Sequence, residues 1–126
     1  MVTWILWALI LVMLAWMGFN YLRIRRAAKI VDNEEFEALI RTGQLIDLRD
    51  PAEFHRKHIL GARNIPSSQL KTSLAALRKD KPVLLYENQR AQRVTNAALY
   101  LKKQGFSEIY ILSYGLDSWK GKVKTS

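Results

Sequence analysis

From Val2 to Phe19 every position is apolar except Thr3 and Gly18, and no charged side chain occurs before Arg23. The apolar residues fall on all faces of a helix rather than on the single stripe of a soluble amphipathic helix. As a helix the run extends about 27 Å at about 1.5 Å rise per residue, close to the hydrocarbon core of a bilayer. Tyr21 follows as an interfacial aromatic, then Arg23, Arg25, Arg26 and Lys29. A secretory signal would begin basic, carry a shorter core and end on small residues. This chain begins Met-Val-Thr, and Gly18-Phe19-Asn20 is a poor cleavage site. The pattern therefore predicts a transmembrane anchor over residues 1–22 and a basic juxtamembrane segment over 23–29. All four basic residues lie on the C-terminal flank. The positive-inside tendency then predicts a single pass through the cell membrane, N-terminus outside and the remainder cytoplasmic. The expected partners at this end are the lipid bilayer, through residues 2–22, and anionic headgroups near Arg23, Arg25, Arg26 and Lys29.

Beyond the anchor, short apolar runs alternate with helical stripes. Lys29-Ile30-Val31 reads as a strand. Asp32 and Glu35 have capping-box spacing, and the helix they open carries Phe36, Leu39 and Ile40 on one face before Gly43. Leu45 to Leu48 reads as a strand, and Asp50-Pro51 as an N-cap with proline at the first helical position. Ala62 to Ile65 is a third strand, ended by Pro66, and Leu70, Leu74 and Leu77 form another helical stripe. Val83-Leu84-Leu85-Tyr86 is continuously apolar, as a central parallel strand should be. A helix over about Ala91–Gln104 turns Val94, Ala97, Ala98 and Leu101 inward, and Ile109 to Leu112 is the last strand before a short helix reaching Trp119. Five strands separated by helical segments predict an α/β domain, its parallel sheet covered on both faces. Ligands of such folds bind at the carboxyl ends of the strands, so the loop after Tyr86 is the place to look.

Composition narrows the chemistry. The 126 residues carry a net charge of +9 and include no cysteine. Disulfides, thiolate metal sites and a cysteine nucleophile are excluded. Setting aside the four flanking basic residues leaves 16 basic against 11 acidic, a net +5 over the rest of the chain. No basic helix or aromatic-interleaved patch points to nucleic acid. His55 and His58, with Glu53 nearby, are too few for an expected metal site, and no cofactor motif is present.

Four blocks, in order, resemble a known family. Ile46-Asp47-Leu48-Arg49-Asp50 with Glu53-Phe54 is similar to the D-V-R-x-x-x-E-F block of rhodanese-like domains. His58 to Pro66 resembles their G-H-I-P-G-A-x-N-I-P block. Lys81 to Tyr86 resembles the strand entering the active-site loop, and Gly105-Phe106, Ile109 to Leu112, Tyr114-Gly115 and Trp119 resemble the closing strand, glycine pair and tryptophan. The resemblance implies a rhodanese-like parallel five-stranded sheet flanked by helices over residues 30–122, with a C-terminal tail over 123–126. It further implies a loop whose cysteine accepts sulfur as a persulfide, ringed by backbone N–H groups and a helix N-terminus that stabilise the anion. It gives Asp47 and Arg49 a role in holding neighbouring loops together.

At the decisive position this chain departs. Counted from the strand, Glu87 replaces the cysteine; counted back from Gly105, Asn88 does. Lys57, Leu60 and Tyr114 also stand where the family has glycine, proline and glycine. No catalytic residue is expected. The candidate anion-cradle loop is Glu87, Asn88, Gln89, Arg90, Ala91, Gln92 and Arg93. Glu87 has two readings, a carboxylate filling the cradle or an exposed glutamate favoured by the helix start. Arg90 and Arg93 either recognise an anion or pair with Glu87. His58 is expected to be a hydrogen-bonded structural residue, and Phe106 and Trp119 core. The function expected is a catalytically inactive, membrane-anchored, cytoplasmic binding or scaffolding module with a protein partner of unknown identity. The alternatives are a sensor of sulfate, phosphate or a sulfur oxyanion using the degenerate loop, and a sulfur- or phosphoryl-transfer enzyme of unknown mechanism, for which Glu87 lacks a visible activating partner.

Overall fold

The computed structural model describes residues 1–88 and 92–125, apart from the side chains of Ile24 and Arg25. The uncharged stretch is one helix, α1 (Val2–Ala27), whose Val2–Arg23 portion is long and apolar enough to cross a membrane and is not buried against the chain. α1 continues unbroken through the basic flank to Ala27, which is buried, as is Ala28 after it. There follow β1 (Lys29–Val31), α2 (Asn33–Ile40), β2 (Gln44–Asp47), α3 (Pro51–Arg56), β3 (Lys57–Ile59), β4 (Arg63–Asn64), β5 (Val83–Tyr86), α4 (Gln92–Lys103), β6 (Ile109–Leu112) and β7 (Val123–Thr125). The end of α1 packs against α4.

Strands β1, β6, β5, β2 and β4 lie side by side in that order, all parallel. This is the five-stranded parallel sheet that the strand–helix alternation predicts. β5 lies at its centre with all four residues fully buried, which is why its apolar run is continuous rather than alternating. Its side chains still point alternately to the two faces. Val83 and Leu85 join Ile46, Val94, Leu101 and Phe106 on one side. Leu84 and Tyr86 join Phe36, Leu45, Ile59 and Leu112 on the other.

The locally encoded features form as the spacing predicts. The Asp32 carboxylate accepts the Glu35 N–H at 2.9 Å at the start of α2, which buries Phe36. Along α4, Val94, Ala97, Ala98 and Leu101 are the buried residues, one face at helical spacing. Ala91 lies outside the described residues.

Three expectations are corrected. The tail over 123–126 is a strand for Val123–Thr125, paired antiparallel with β3 so that His58 faces Lys124 and Ile59 faces Val123. Both strands are three residues long, and each gains its hydrogen-bond partners from a distant stretch of chain. The Leu70, Leu74 and Leu77 stripe is built from two 3-10 segments, Ser67–Gln69 and Lys71–Ala76, instead of an α-helix. Bonds from Leu70 to Ser67, Ser73 to Leu70 and Leu77 to Leu74 close over three residues and tighten the turns. Leu70 and Leu77 are nevertheless buried. Asp50 precedes α3 as expected, but its side chain makes no capping bond; Pro51, with φ already helical and no N–H to satisfy, starts this six-residue helix.

Candidate functional site

The carboxyl ends of β2 and β5 are adjacent in the sheet, with Asp47 beside Tyr86. At the end of β2, Asp47 is fully buried and Arg49 nearly so. Their side chains form a forked ion pair, Arg49 Nη2 to Asp47 Oδ2 at 2.8 Å and Nε to Oδ1 at 3.1 Å. The Arg49 backbone N–H also donates to Asp47 Oδ1 at 2.9 Å. Burial works against the Arg49 charge, but the hydrogen bonds and charge of Asp47 outweigh it and hold the guanidinium pKa above its ordinary value. The remaining Arg49 donors reach out of the strand, Nη2 to the Lys57 carbonyl and Nη1 to Asn88 Oδ1 at 3.0 Å. Asn64 Nδ2 donates to the Asp47 and Arg49 carbonyls from the other side, at 3.2 and 3.0 Å. The Asp47–Arg49 pair thus ties the ends of β2, α3 and β4 to the loop after β5.

That loop separates the two candidate positions. Glu87 is turned inward and only 8% exposed, and its Oε2 accepts the Val94 N–H at 2.9 Å in the first turn of α4. Helix starts leave N–H groups unpaired and favour negative charge, and here a side chain from five residues before the first residue of the helix meets that need. Asn88 points the other way. Besides accepting from Arg49, it donates Nδ2 to Glu53 Oε2 at 2.8 Å. The backbone carbonyls of Glu87 and Asn88 accept from the Leu116 and Asp117 N–H groups at 2.8 and 3.0 Å. The loop is stitched to the 3-10 turn Leu116–Ser118.

Beneath it, the Tyr86 hydroxyl accepts the Ile59 N–H at 3.1 Å. Burial pushes the Tyr86 phenol far above its ordinary pKa, so it stays neutral. His58 Nδ1 donates to the Phe54 carbonyl at 2.7 Å, and its ring stacks on Phe54 at 3.8 Å. It is a structural residue, as expected. Phe106 is buried, and Trp119 packs edge-on against Phe36 with ring centroids 5.9 Å apart.

Above this network lies a cleft of about 490 Å³ lined by Arg49, Glu53, Arg56, Lys57, Asn88, Leu116 and Asp117. Of the described candidate loop residues, Glu87, Asn88, Gln92 and Arg93, only Asn88 lines it. Gln92 and Arg93 are exposed at the start of α4, Gln92 donating to Asn96 Oδ1 at 2.9 Å and Arg93 lining a different hollow. Gln89, Arg90 and Ala91 lie outside the described residues, so the pairing considered for Arg90 does too. Arg56, Leu116 and Asp117 were not picked out from the sequence as site residues. Lys57 carried the one available signal, a long cation where the resembling block has glycine. The cleft lining carries both signs of charge, Arg49, Arg56 and Lys57 together with Glu53 and Asp117. Arg49, most of whose donors are already committed to the protein, forms the floor. No thiol is present to accept sulfur, and the arrangement offers polar recognition over the hydrogen-bonded Asp47–Arg49 pair.

A family model described as Rhodanese-like domain matches residues 32–122. The uncharacterized protein YqhL of Bacillus subtilis (strain 168) is 50% identical over 105 residues, covering 83% of this chain and 82% of that protein. The thiosulfate sulfurtransferase GlpE of Stutzerimonas stutzeri is 36% identical over 95 residues, covering 73% of this chain and 84% of that one. Among solved structures, a rhodanese-related protein from Thermoplasma volcanium superposes with a TM-score of 0.70 at 23% identity, covering 78% of this chain and 99% of its own. The BH2092 protein of Bacillus halodurans gives 0.69 at 21% identity, covering 86% and 85%. At those identities the two structures speak to the fold.

Proposed function

The chain belongs to the rhodanese-like domain family, and on that premise we propose that it is a catalytically silent binding module, held at the cytoplasmic face of the cell membrane by α1. The observation that carries this reading is the fate of the loop after β5. At the loop where the family resemblance implies a sulfur-accepting cysteine, this chain has Glu87 and Asn88, and it contains no cysteine, although one relative is named a thiosulfate sulfurtransferase. Glu87 spends its carboxylate on Val94, and Asn88 is spanned between Arg49 and Glu53. Both side chains serve the loop's own structure. The fold is retained while the group that would hold sulfur is gone.

What remains for a partner is the cleft rim. Its mixed charge, Arg56 and Lys57 beside Glu53 and Asp117, suits a protein segment whose side chains can meet both signs at once better than a small free anion. The N-out, single-pass orientation follows from the basic flank of α1. Sulfur transfer from thiosulfate to cyanide, measured with the full-length chain in detergent micelles, tests the catalytic half of the reading. The expected rate equals the buffer blank over any pH at which the protein is folded. A rate that rises in proportion to protein concentration would overturn it.

A further inference from the structure

A second hollow, of about 480 Å³, lies away from the cleft, between α4 and the two 3-10 segments that follow β4. Its polar lining includes Ser67, Lys71, Arg93 and Asn96, and its apolar lining includes Leu70 and Tyr100. No carboxylate lines it among the described residues. Lys71 and Arg93 are both exposed, and neither is within salt-bridge distance of a carboxylate among the described residues. Lys71 instead lies with Nζ 5.6 Å from the centre of the Tyr100 ring. Asn96, which lines the hollow, uses its Oδ1 to accept from Gln92, so its amide N–H groups are its remaining donors. Two cations with no carboxylate partner among the described residues, a hydroxyl and an amide beside an apolar wall suit a ligand with a phosphate on an apolar stem.

The anchor says where such a ligand comes from. α1 packs against α4, which is one wall of this hollow. The helix is unbroken from its membrane-spanning portion, ending at Arg23, to Ala27, only about 6 Å further at about 1.5 Å per residue. α4 itself is twelve residues long, about 18 Å, so its wall of the hollow lies within one helix length of the anchor contact. We propose that the α4 hollow binds the phosphate headgroup of an anionic phospholipid from the bilayer that holds α1, so that the domain lies against the membrane in one orientation. The proposal rests on the membrane-anchor reading above. It adds a built headgroup site to the diffuse attraction of the basic flank.

The test uses the full-length chain reconstituted into nanodiscs of phosphatidylcholine, with and without phosphatidylglycerol, and reads amide hydrogen exchange. Residues 67–71 and 92–100 are expected to exchange more slowly in the phosphatidylglycerol discs, by on the order of tenfold given two basic side chains at an anionic surface. The β5 amides should be unchanged, and the Lys71→Ala/Arg93→Ala double variant should lose the protection. Equal exchange in both kinds of disc, with the protein incorporated, would overturn the headgroup site while leaving the anchor intact. Equal protection from millimolar inorganic phosphate in phosphatidylcholine discs would overturn the lipid as the source. Failure to enter either disc would remove the anchor itself, and the proposal with it.

Discussion

Replacing Arg49 with alanine is expected to destabilise the domain by about 3–5 kcal/mol, the usual consequence of stripping one partner from a buried ion pair. Asp47 has no solvent exposure, and two of its three Arg49 donors, Nε and Nη2, would go. The Lys57 carbonyl and Asn88 Oδ1 would lose donors in the same step. Amide exchange of β5 in the full-length chain reports global opening and should accelerate by on the order of a hundredfold or more. The contrast is Arg78–Asp80, whose Nη2–Oδ2 distance is also short at 2.6 Å but whose side chains are more than half exposed. Asp80→Ala is expected to leave β5 exchange unchanged, since water already screens that pair. A similar small effect for both variants would mean that the Asp47–Arg49 tie does not hold the strand ends together.

The second large effect is expected at Gly115. Its φ of +69° with ψ of −167° is a conformation almost confined to glycine. A Cβ there would also fall 2.4 Å from the Asn88 carbonyl oxygen and 2.5 Å from that of Glu87. Those carbonyls accept the Leu116 and Asp117 N–H groups, so the added methyl must push apart the stitching that holds the loop. Gly115→Ala should cost about 3 kcal/mol or more, backbone strain and collision together. It should also detach Asn88 from Arg49, seen as a change in the Asn88 side-chain amide resonances. Gly61 is the control: its φ is +90°, but nothing lies within 4 Å of an added Cβ, so Gly61→Ala carries the strain alone. Equal losses at the two positions would show that packing against the loop contributes nothing.

What could be read from the sequence divides along the range of the interactions. The apolar N-terminal helix, the Asp32 cap, the buried face of α4 and the apolar β5 are written in neighbouring residues, and each forms where its pattern puts it. β3 and β7 are not written that way. Lys57-His58-Ile59 and Val123-Lys124-Thr125 are too short to carry a pattern, and each becomes a strand only by finding the other. The 3-10 segments after β4 place leucines at spacings that an α-helix also allows, so periodicity alone could not separate the two. At the site, the blocks around Asp47 and Arg49 pointed to a loop-holding pair. The partners of that pair, Asn88, Lys57 and Asn64, come from three other parts of the chain. The choice between a buried and an exposed Glu87 turned on whether α4 would lie close enough to receive its carboxylate. That is a property of packing, and Val94 N–H at 2.9 Å answers it.

Glu87 and Asn88 occupy the start of the loop after β5 with their own hydrogen bonds, which leaves no open cradle there for a sulfur oxyanion. The most direct measurement is an NMR titration of the labelled full-length chain in detergent micelles with thiosulfate and sulfate. The amides of Glu87, Asn88, Val94, Leu116 and Asp117 are expected to stay in place up to millimolar anion. Saturable shifts confined to those amides would contradict this, because they would require an open cradle that takes the anion in place of Glu87.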